Sequence, residues 1–308
     1  MARGVVSSLQ RFWKKTTTME KVFYIAVVLI GVYIITTYGQ KTIENFEQST
    51  QFITKKGPEC YDDFYVSVYD DLLYSKIKND YEIGTIINKA GPTAQSRILD
   101  IGSGTGHHVN ELTKQGYNCE GIDLSTAMVK QAKQNYPKCK FTNGDAMKTM
   151  TYPGNSFTTI TCLYFTIYAI QNKRGFFQNC YHWLMPGGYL VIHLVDRDNF
   201  DPILPAADVF YVDPQKFAEK RITQTKVSFD NHDYKANFKS EGDTSYFEEV
   251  FVNKKDKSIR KNSHILYMPT QKHILALAQE TGFIMVSKSE MKKPKYYNQF
   301  IYVLQKPE

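Results

Sequence analysis

Between Arg97 and Val195 the chain alternates short apolar runs with stretches of helical spacing. The runs near 96–101, 118–123, 139–142, 157–163 and 188–195 predict strands, and the stretches near 107–116, 125–136 and 172–184 predict helices. Strands joined by helix-length connections build a doubly wound, mostly parallel sheet, so the pattern predicts an α/β fold. After Asp196 the period changes to two. Val227/Phe229, Tyr234/Ala236/Phe238, Tyr246/Glu248/Val250/Val252 and Ile265/Tyr267 alternate. Asp230-Asn231, Glu241-Gly242-Asp243 and Asn253-Lys254-Lys255-Asp256 supply turns between them. This predicts an antiparallel β insertion of three or four strands within 200–268, after strand five and before a helix near 270–281.

A different pattern stands at the start. Val22 to Tyr38 is seventeen residues without a charge. As a helix it rises roughly 26 Å, near the minimum for a bilayer span. It lacks the polar face of a core helix. A cleaved signal peptide would have a shorter apolar stretch and small residues at its cleavage site, which Thr-Thr-Tyr-Gly-Gln does not offer. The run therefore predicts a retained transmembrane helix and a single-pass membrane location. The organisation expected is a basic N-terminal tail (1–21), the transmembrane helix (22–39), a polar stalk (40–60) and one globular domain (61–308).

Charge follows this division. The first 41 residues hold six Lys/Arg and one acid, which is +5 of the chain's net +7. The globular part is close to neutral, so no nucleic-acid partner is expected. Five of those six basic residues precede the apolar run and favour a cytoplasmic N-terminus. Yet the five cysteines show neither a disulfide framework nor zinc spacing, and no Asn-x-Ser/Thr acceptor occurs. Both features favour a reducing compartment around the domain, so the orientation stays open.

The densest chemistry lies in Arg97–Val109, read Arg-Ile-Leu-Asp-Ile-Gly-Ser-Gly-Thr-Gly-His-His-Val. Glycines at 102, 104 and 106 let the backbone approach a ligand at the end of a strand. A dinucleotide site would place its third glycine at 107, where His107 stands. Tyr117–Leu124 predicts a second strand tipped by Asp123, an acid placed to accept two ribose hydroxyls. Phe141–Met147 predicts a third tipped by Asp145, and Leu184–Val195 enters the fifth through Pro-Gly-Gly. In this order the four segments resemble the motifs of the class I S-adenosylmethionine (SAM)-dependent methyltransferases. The resemblance covers about 60–195 well and the last forty residues loosely. It implies a Rossmann-like sheet and SAM as cofactor. The residues it implies for cofactor binding are Asp100, Gly102, Ser103, Gly104, Asp123, Leu124, Asp145, Ala146 and Leu163. Asp145 would take the adenine amino group. The alternating tyrosines and acids of 59–81 resemble leading helices that fold over the cofactor, with Tyr69 and Lys76 as candidates for its methionine carboxylate.

The acceptor site belongs at the tips of strands four and five. Strand four ends in Cys162-Leu163-Tyr164-Phe165-Thr166-Ile167-Tyr168 and lacks the Asn/Asp-Pro-Pro-Tyr/Phe of enzymes that methylate amino groups of nucleobases. No acid and Asn cluster for a divalent metal is evident, so none is expected. Tyr164, Phe165 and Tyr168 are candidates to wall an acceptor pocket, a setting that suits a cationic or planar amine. His193 and Asp196 are the polar residues at the end of strand five, with His193 a candidate base. His107 or His108 is a further candidate to face the transfer site. The function expected is a membrane-anchored methyltransferase acting on a small-molecule or lipid-like acceptor. The alternative is a structural or interaction protein that kept the fold and uses 200–268 to dock a protein partner. If 200–268 is instead a lid, Tyr164, Tyr168 and His193 should line an enclosed pocket of roughly 300–1,000 Å³. The Lys/Asn/Tyr/Ile-rich composition with an anchor resembles methyltransferases of large DNA viruses, which implies a virion membrane as the location.

Overall fold

The computed structural model describes residues 13, 16–47, 51–203, 215 and 218–308. The chain divides into two compact units, Met1–Gln51 and Phe52–Glu308. In the first, helix α1 (Thr18–Glu47) opens on a capping box. The Glu20 carboxylate accepts the Thr17 backbone N–H at 2.7 Å and its hydroxyl at 2.9 Å, and the Glu20 N–H donates back to that hydroxyl. The described apolar side chains run from Val22 to Tyr33. Among the described residues no helix is long and apolar enough to cross a membrane. The expected transmembrane helix and single-pass location are corrected on that ground, and the virion membrane loses its support with them. Most of the basic tail, 1–21, lies outside the described residues.

The second unit begins with strand β1 (Phe52–Lys56) and two capped helices, α2 (Asp63–Leu73) and α3 (Lys76–Ala90). The Asp62 side chain accepts from the Tyr65 N–H, and the Ser75 side chain accepts from the Lys78 N–H. The alternating region follows as β2 (Arg97–Ile101), α4 (His107–Lys114), β3 (Asn118–Asp123), α5 (Thr126–Asn135), β4 (Lys140–Asn143) and β5 (Phe157–Cys162). It continues with the short α6 (Thr166–Ala169), α7 (Lys173–Trp183) and β6 (Leu184–Val195). Each strand predicted in this region is present. Four more strands come next: β7 (Gln224–Ser228), β8 (His232–Glu241), β9 (Thr244–Asn253) and β10 (Ile259–Tyr267). The chain closes with α8 (Gln271–Thr281), β11 (Ile284–Glu290) and β12 (Gln299–Gln305). The last two strands had no expectation of their own.

One sheet runs β11-β12-β6-β5-β2-β3-β4. Its pairs from β6 to β4 are parallel, and β12 is antiparallel to both neighbours. The order reverses between β2 and β5, and ligands of such sheets bind at the carboxyl ends beside that point. Apolar layers cover both faces. Leu99, Ile160, Ile192 and Trp183 lie in one, and Ile98, Val191, Ile301 and Ile86 in the other. Nearly continuous apolar strands are what a sheet buried on both faces requires.

The other sheet runs β1-β10-β9-β8-β7. It is the expected antiparallel insertion with a parallel edge strand, β1, drawn from residues assigned to the stalk. Stalk residues 48–50 and insertion residues 204–214 and 216–217 lie outside the described residues. The buried face of β8 is Tyr234, Ala236 and Phe238, as its alternation predicts. On β9 and β10 the faces are the reverse of expectation. Ser245, Glu249 and Phe251, then Arg260, Asn262 and His264, point inward. A two-residue turn at Gly242-Asp243 is the cause, since it pairs Glu241 with Thr244 and hence Tyr234 with Phe251 and Ala236 with Glu249. Directly paired residues share a face, so register overrides hydrophobicity here.

Candidate active site

At the end of β2 the backbone turns through Gly102, Ser103, Gly104, Thr105 and Gly106 into α4. Gly106 has φ of +94°, and a Cβ there would stand 2.6 Å from the Phe141 ring. No other residue type fits. Asp100 is buried and accepts the Thr161 hydroxyl at 2.6 Å, and burial raises its pKa. Ser103 is buried too, and its hydroxyl has no hydrogen-bond partner. Asp123, at the tip of β3, accepts the Gly104 N–H through Oδ2 at 2.9 Å and the Ser125 N–H through Oδ1 at 2.8 Å. Burial raises its pKa against those two bonds. Each oxygen keeps a further lone pair. Beside it, an open cleft of about 620 Å³ is lined by Tyr61, Asp62, Leu124, Ser125, Ala127 and Lys130, among others. Asp145 accepts the Met147 N–H through Oδ1, leaving Oδ2 for a ligand. Ala146 follows it and packs partly buried on the core, Leu124 is exposed, and Leu163 is buried.

Helix α2 clasps this turn. Asp70 accepts the Thr105 hydroxyl at 2.7 Å and lies 3.0 Å from His107 Nε2. Tyr74 stacks on the His107 ring at 3.9 Å, and the Tyr136 hydroxyl bonds its Nδ1 at 2.8 Å. His107 is thus occupied in holding α2 to α4. The Tyr69 ring stands 3.7 Å from where a Cβ on Gly104 would be, so it covers the turn. Lys76 does not reach the site. It is exposed and paired with Asp80.

On the acceptor side, Tyr164 follows β5 with φ of +52°, a rare backbone state for an aromatic residue. Lys78 Nζ stands over its ring, 4.5 Å from the centroid, and the His193 ring is near parallel to it at 6.3 Å. Lys78 bonds the buried Glu82 at 2.6 Å, and His108 Nε2 lies 2.9 Å from the other oxygen of Glu82. Burial would raise the Glu82 pKa, but Lys78 and His108 bring it down to about 2. His193 is fully buried. Desolvation, with the Lys78 charge, pushes its pKa down to about 4. Tyr168 is fully buried as well, and its hydroxyl accepts the Val195 N–H at 2.7 Å. It supports the strand and offers nothing to a ligand.

The second sheet closes over α2 with a buried carboxylate at the contact. Glu249 Oε1 accepts the Tyr65 and Tyr234 hydroxyls at 3.0 and 2.8 Å. Its Oε2 lies 2.8 Å from His264 Nε2 and 3.4 Å from Asn262 Nδ2. Burial would lower the His264 pKa, but hydrogen bonds with Cys60 and Glu249 and the Glu249 charge raise it to about 9. An unfolded histidine titrates near 6.5. The resulting stabilisation is fully present below pH 6.5 and is lost as pH rises through 9. Unfolding free energy in urea is therefore expected to fall by about 3 kcal/mol between pH 6.5 and 9.5. His264→Gln should flatten that slope, and an equal slope in the variant would refute the assignment.

Sequence reasoning brought Asp100, Gly102, Ser103, Gly104, Asp123 and Tyr69 together, and the structure places them around one turn. It missed Lys78, Glu82, Glu249, His264 and Gln299. The Lys78/Glu82 spacing of four on a helix was a readable signal. The pocket expected from Tyr164, Tyr168 and His193 is not the described cleft, which lies on the Asp123 side.

Residues 99–192 match the family model described as a methyltransferase domain. The phosphoethanolamine N-methyltransferase of Plasmodium falciparum is 29% identical over 178 residues, covering 52% of this chain and 62% of that protein. A demethylmenaquinone methyltransferase of Tropheryma whipplei is 33% identical over 110 residues, 33% of this chain and 43% of its own length. The chain thus spans about half the length of these relatives. A SAM-dependent methyltransferase of Clostridium acetobutylicum has the same fold, with a TM-score of 0.62 at 16% identity over 81% of this chain and all of that one. So has the SAM-bound amino pentose methyltransferase of Micromonospora echinaspora, with a TM-score of 0.55 at 20% identity over 79% and 96%. Residues 99–192 resemble the methyltransferase-domain family, and the second unit has the fold of solved SAM-dependent methyltransferases. The cofactor of that family is SAM, and the lone pairs of Asp123, the adjoining cleft and the unpartnered Ser103 hydroxyl fit it.

Proposed function

We propose that the protein methylates a small molecule at an amine nitrogen. Asp123 binds the ribose hydroxyls, Asp145 and the Ala146 amide hold the adenine edge, and Tyr69 with the turn at Gly102–Gly104 covers the methionine arm. The bound cofactor supplies a methyl group activated by its sulfonium. The chain's own work is to orient the nucleophile and exclude water. A cationic acceptor would first release its ammonium proton to solvent; the freed nitrogen lone pair would then take the methyl group, with the electrons of the broken C–S bond passing to the cofactor's sulfur. The acceptor side is built from Tyr61 and Tyr69, with Glu249 beside them, while Lys78 occupies a face of the Tyr164 ring. Tyrosine faces backed by carboxylates suit a cationic amine. The observation that carries this reading is the packing of β8 and β9 on α2, the helix whose Tyr69 covers the turn after β2. The names of the similar phosphoethanolamine and amino pentose enzymes support nitrogen as the acceptor atom. No observation favours the interaction-protein alternative, and the inward face of β8, β9 and β10 is already occupied.

The test is transfer of a tritiated methyl from SAM by the full chain to matched panels of amines, phenols and carboxylic acids. Labelled product is expected from amines alone. Labelling confined to oxygen acceptors, or none from any panel, would overturn the reading.

A further inference from the structure

Helix α2 is held at two places of unequal strength. Toward its start, Tyr65 is buried and donates to the fully buried Glu249 at 3.0 Å. Toward its end, Asp70 and Tyr74 meet His107, where the Asp70 and His107 side chains are still 36% and 21% exposed. Polar contacts at such a rim hold far less firmly than buried ones, so this end of the helix opens first. Tyr74 and Ser75 join α2 to α3 in extended conformation, with ψ of 127° and 115°, and form the swivel.

The rim contacts converge on one ring. His107 Nε2 lies 3.0 Å from Asp70 Oδ2, and Tyr74 stacks on the imidazole at 3.9 Å with 19° between the planes. The Tyr136 hydroxyl, at the end of α5, meets Nδ1 at 2.8 Å. One residue before Asp70, Tyr69 lies on the cofactor turn. Its Cε1 and hydroxyl are 3.7 and 3.8 Å from where a Cβ on Gly104 would be, which is van der Waals contact. An aliphatic chain between two surfaces needs about 3.5–4.0 Å on each side, or roughly 7–8 Å in all. The amino-acid arm of SAM therefore has no passage between Tyr69 and the turn while α2 stays down. The cleft at Leu124 and Ser125, by contrast, is already open to the nucleoside end.

We infer that His107 is a positioning residue for the cofactor: its ring clasps the end of α2 and holds Tyr69 on the turn, and these contacts part to pass the amino-acid arm and re-form over it. This rests on the proposed cofactor pose and adds the step that admits and releases the cofactor. His107 is the first residue of α4, directly after Gly106, so the ring belongs to the same rigid piece as the binding turn. The end of α2 is the part that moves. Asp70 also accepts the Thr105 hydroxyl, so the same motion frees the turn at a second point.

The test measures association and dissociation of tritiated SAM with the full chain, by filter binding and a chase with S-adenosylhomocysteine, in wild type, His107→Ala and Tyr136→Phe. Amide hydrogen exchange of the free proteins is followed in parallel. In His107→Ala both rates are expected to rise about tenfold or more while the dissociation constant moves less than about threefold, because the same barrier is lowered for entry and exit. Exchange should quicken at residues 69–74 and not in β2. Unchanged rates overturn the inference. So does faster dissociation with unchanged or slower association, because the ring then only supports the turn. Should His107→Ala fail to fold, the rates of Tyr136→Phe, which removes one contact of the ring, decide in the same way. If wild type binds no SAM at about 1 mM, the cofactor pose fails. Exchange then decides the clasp alone, acceleration confined to residues 69–74 supporting it and none rejecting it.

Discussion

Replacing Glu249 by alanine is expected to cost about 3–5 kcal/mol of stability, the usual loss when one member of a buried charged network is removed. Glu249 is fully buried on β9 and is bonded by four side chains from three other elements: Tyr65 of α2, Tyr234 of β8, and Asn262 and His264 of β10. Its loss leaves two hydroxyls, an amide and a histidine without an acceptor in the core. His264, whose raised pKa depends on that carboxylate, would return toward its ordinary value. Urea unfolding at pH 7 measures the cost. A loss below about 1 kcal/mol would mean that water or a neighbour replaces the carboxylate, and that the second sheet is held to α2 chiefly by its apolar contacts. Those contacts include Phe64 edge-on to Phe251 and Tyr65 edge-on to the same ring.

Asp123→Ala is expected to weaken SAM binding by about 1–3 kcal/mol, or roughly 5–150-fold. Two effects act together. The ribose loses its acceptor, and the Gly104 and Ser125 amides lose the carboxylate that now fixes the turn. Calorimetric titration of wild type and variant gives the ratio. Equal affinities would move the ribose away from β3, and the whole cofactor pose with it.

The parallel sheet was legible because its signal is redundant. Apolar runs, helix-length spacers and the Asp100, Asp123 and Asp145 strand tips each point to the same topology, and local and global preferences agree. The second sheet was legible as strands and turns but not as faces. Glu249, Asn262 and His264 look like solvent residues, and Val250, Val252 and Ile265 look like core. A two-residue turn set the register the other way, and the polar face closed on the tyrosines of α2. β1 was hidden because five residues reading Phe-Ile-Thr-Lys-Lys carry no sign of the partner 200 residues away that makes them a strand. Tyr168 was misleading for a similar reason. An aromatic residue at a strand tip looks like a pocket wall until its hydroxyl is found on the Val195 backbone. The transmembrane expectation drawn from the apolar run at 22–38 is set aside because no helix among the described residues is long and apolar enough to cross a membrane.

The central claim is that the turn after β2 and the tips of β3 and β4 hold the cofactor. A crystal structure of the full chain with S-adenosylhomocysteine tests it most directly. The account predicts both ribose hydroxyls within hydrogen-bond distance of the Asp123 carboxylate, the adenine amino group at Asp145, and Tyr69 lying over the amino-acid arm. A ribose bound away from Asp123, or no bound nucleoside at a cofactor concentration of about 1 mM, weaker than which a metabolite site has little use, would contradict it.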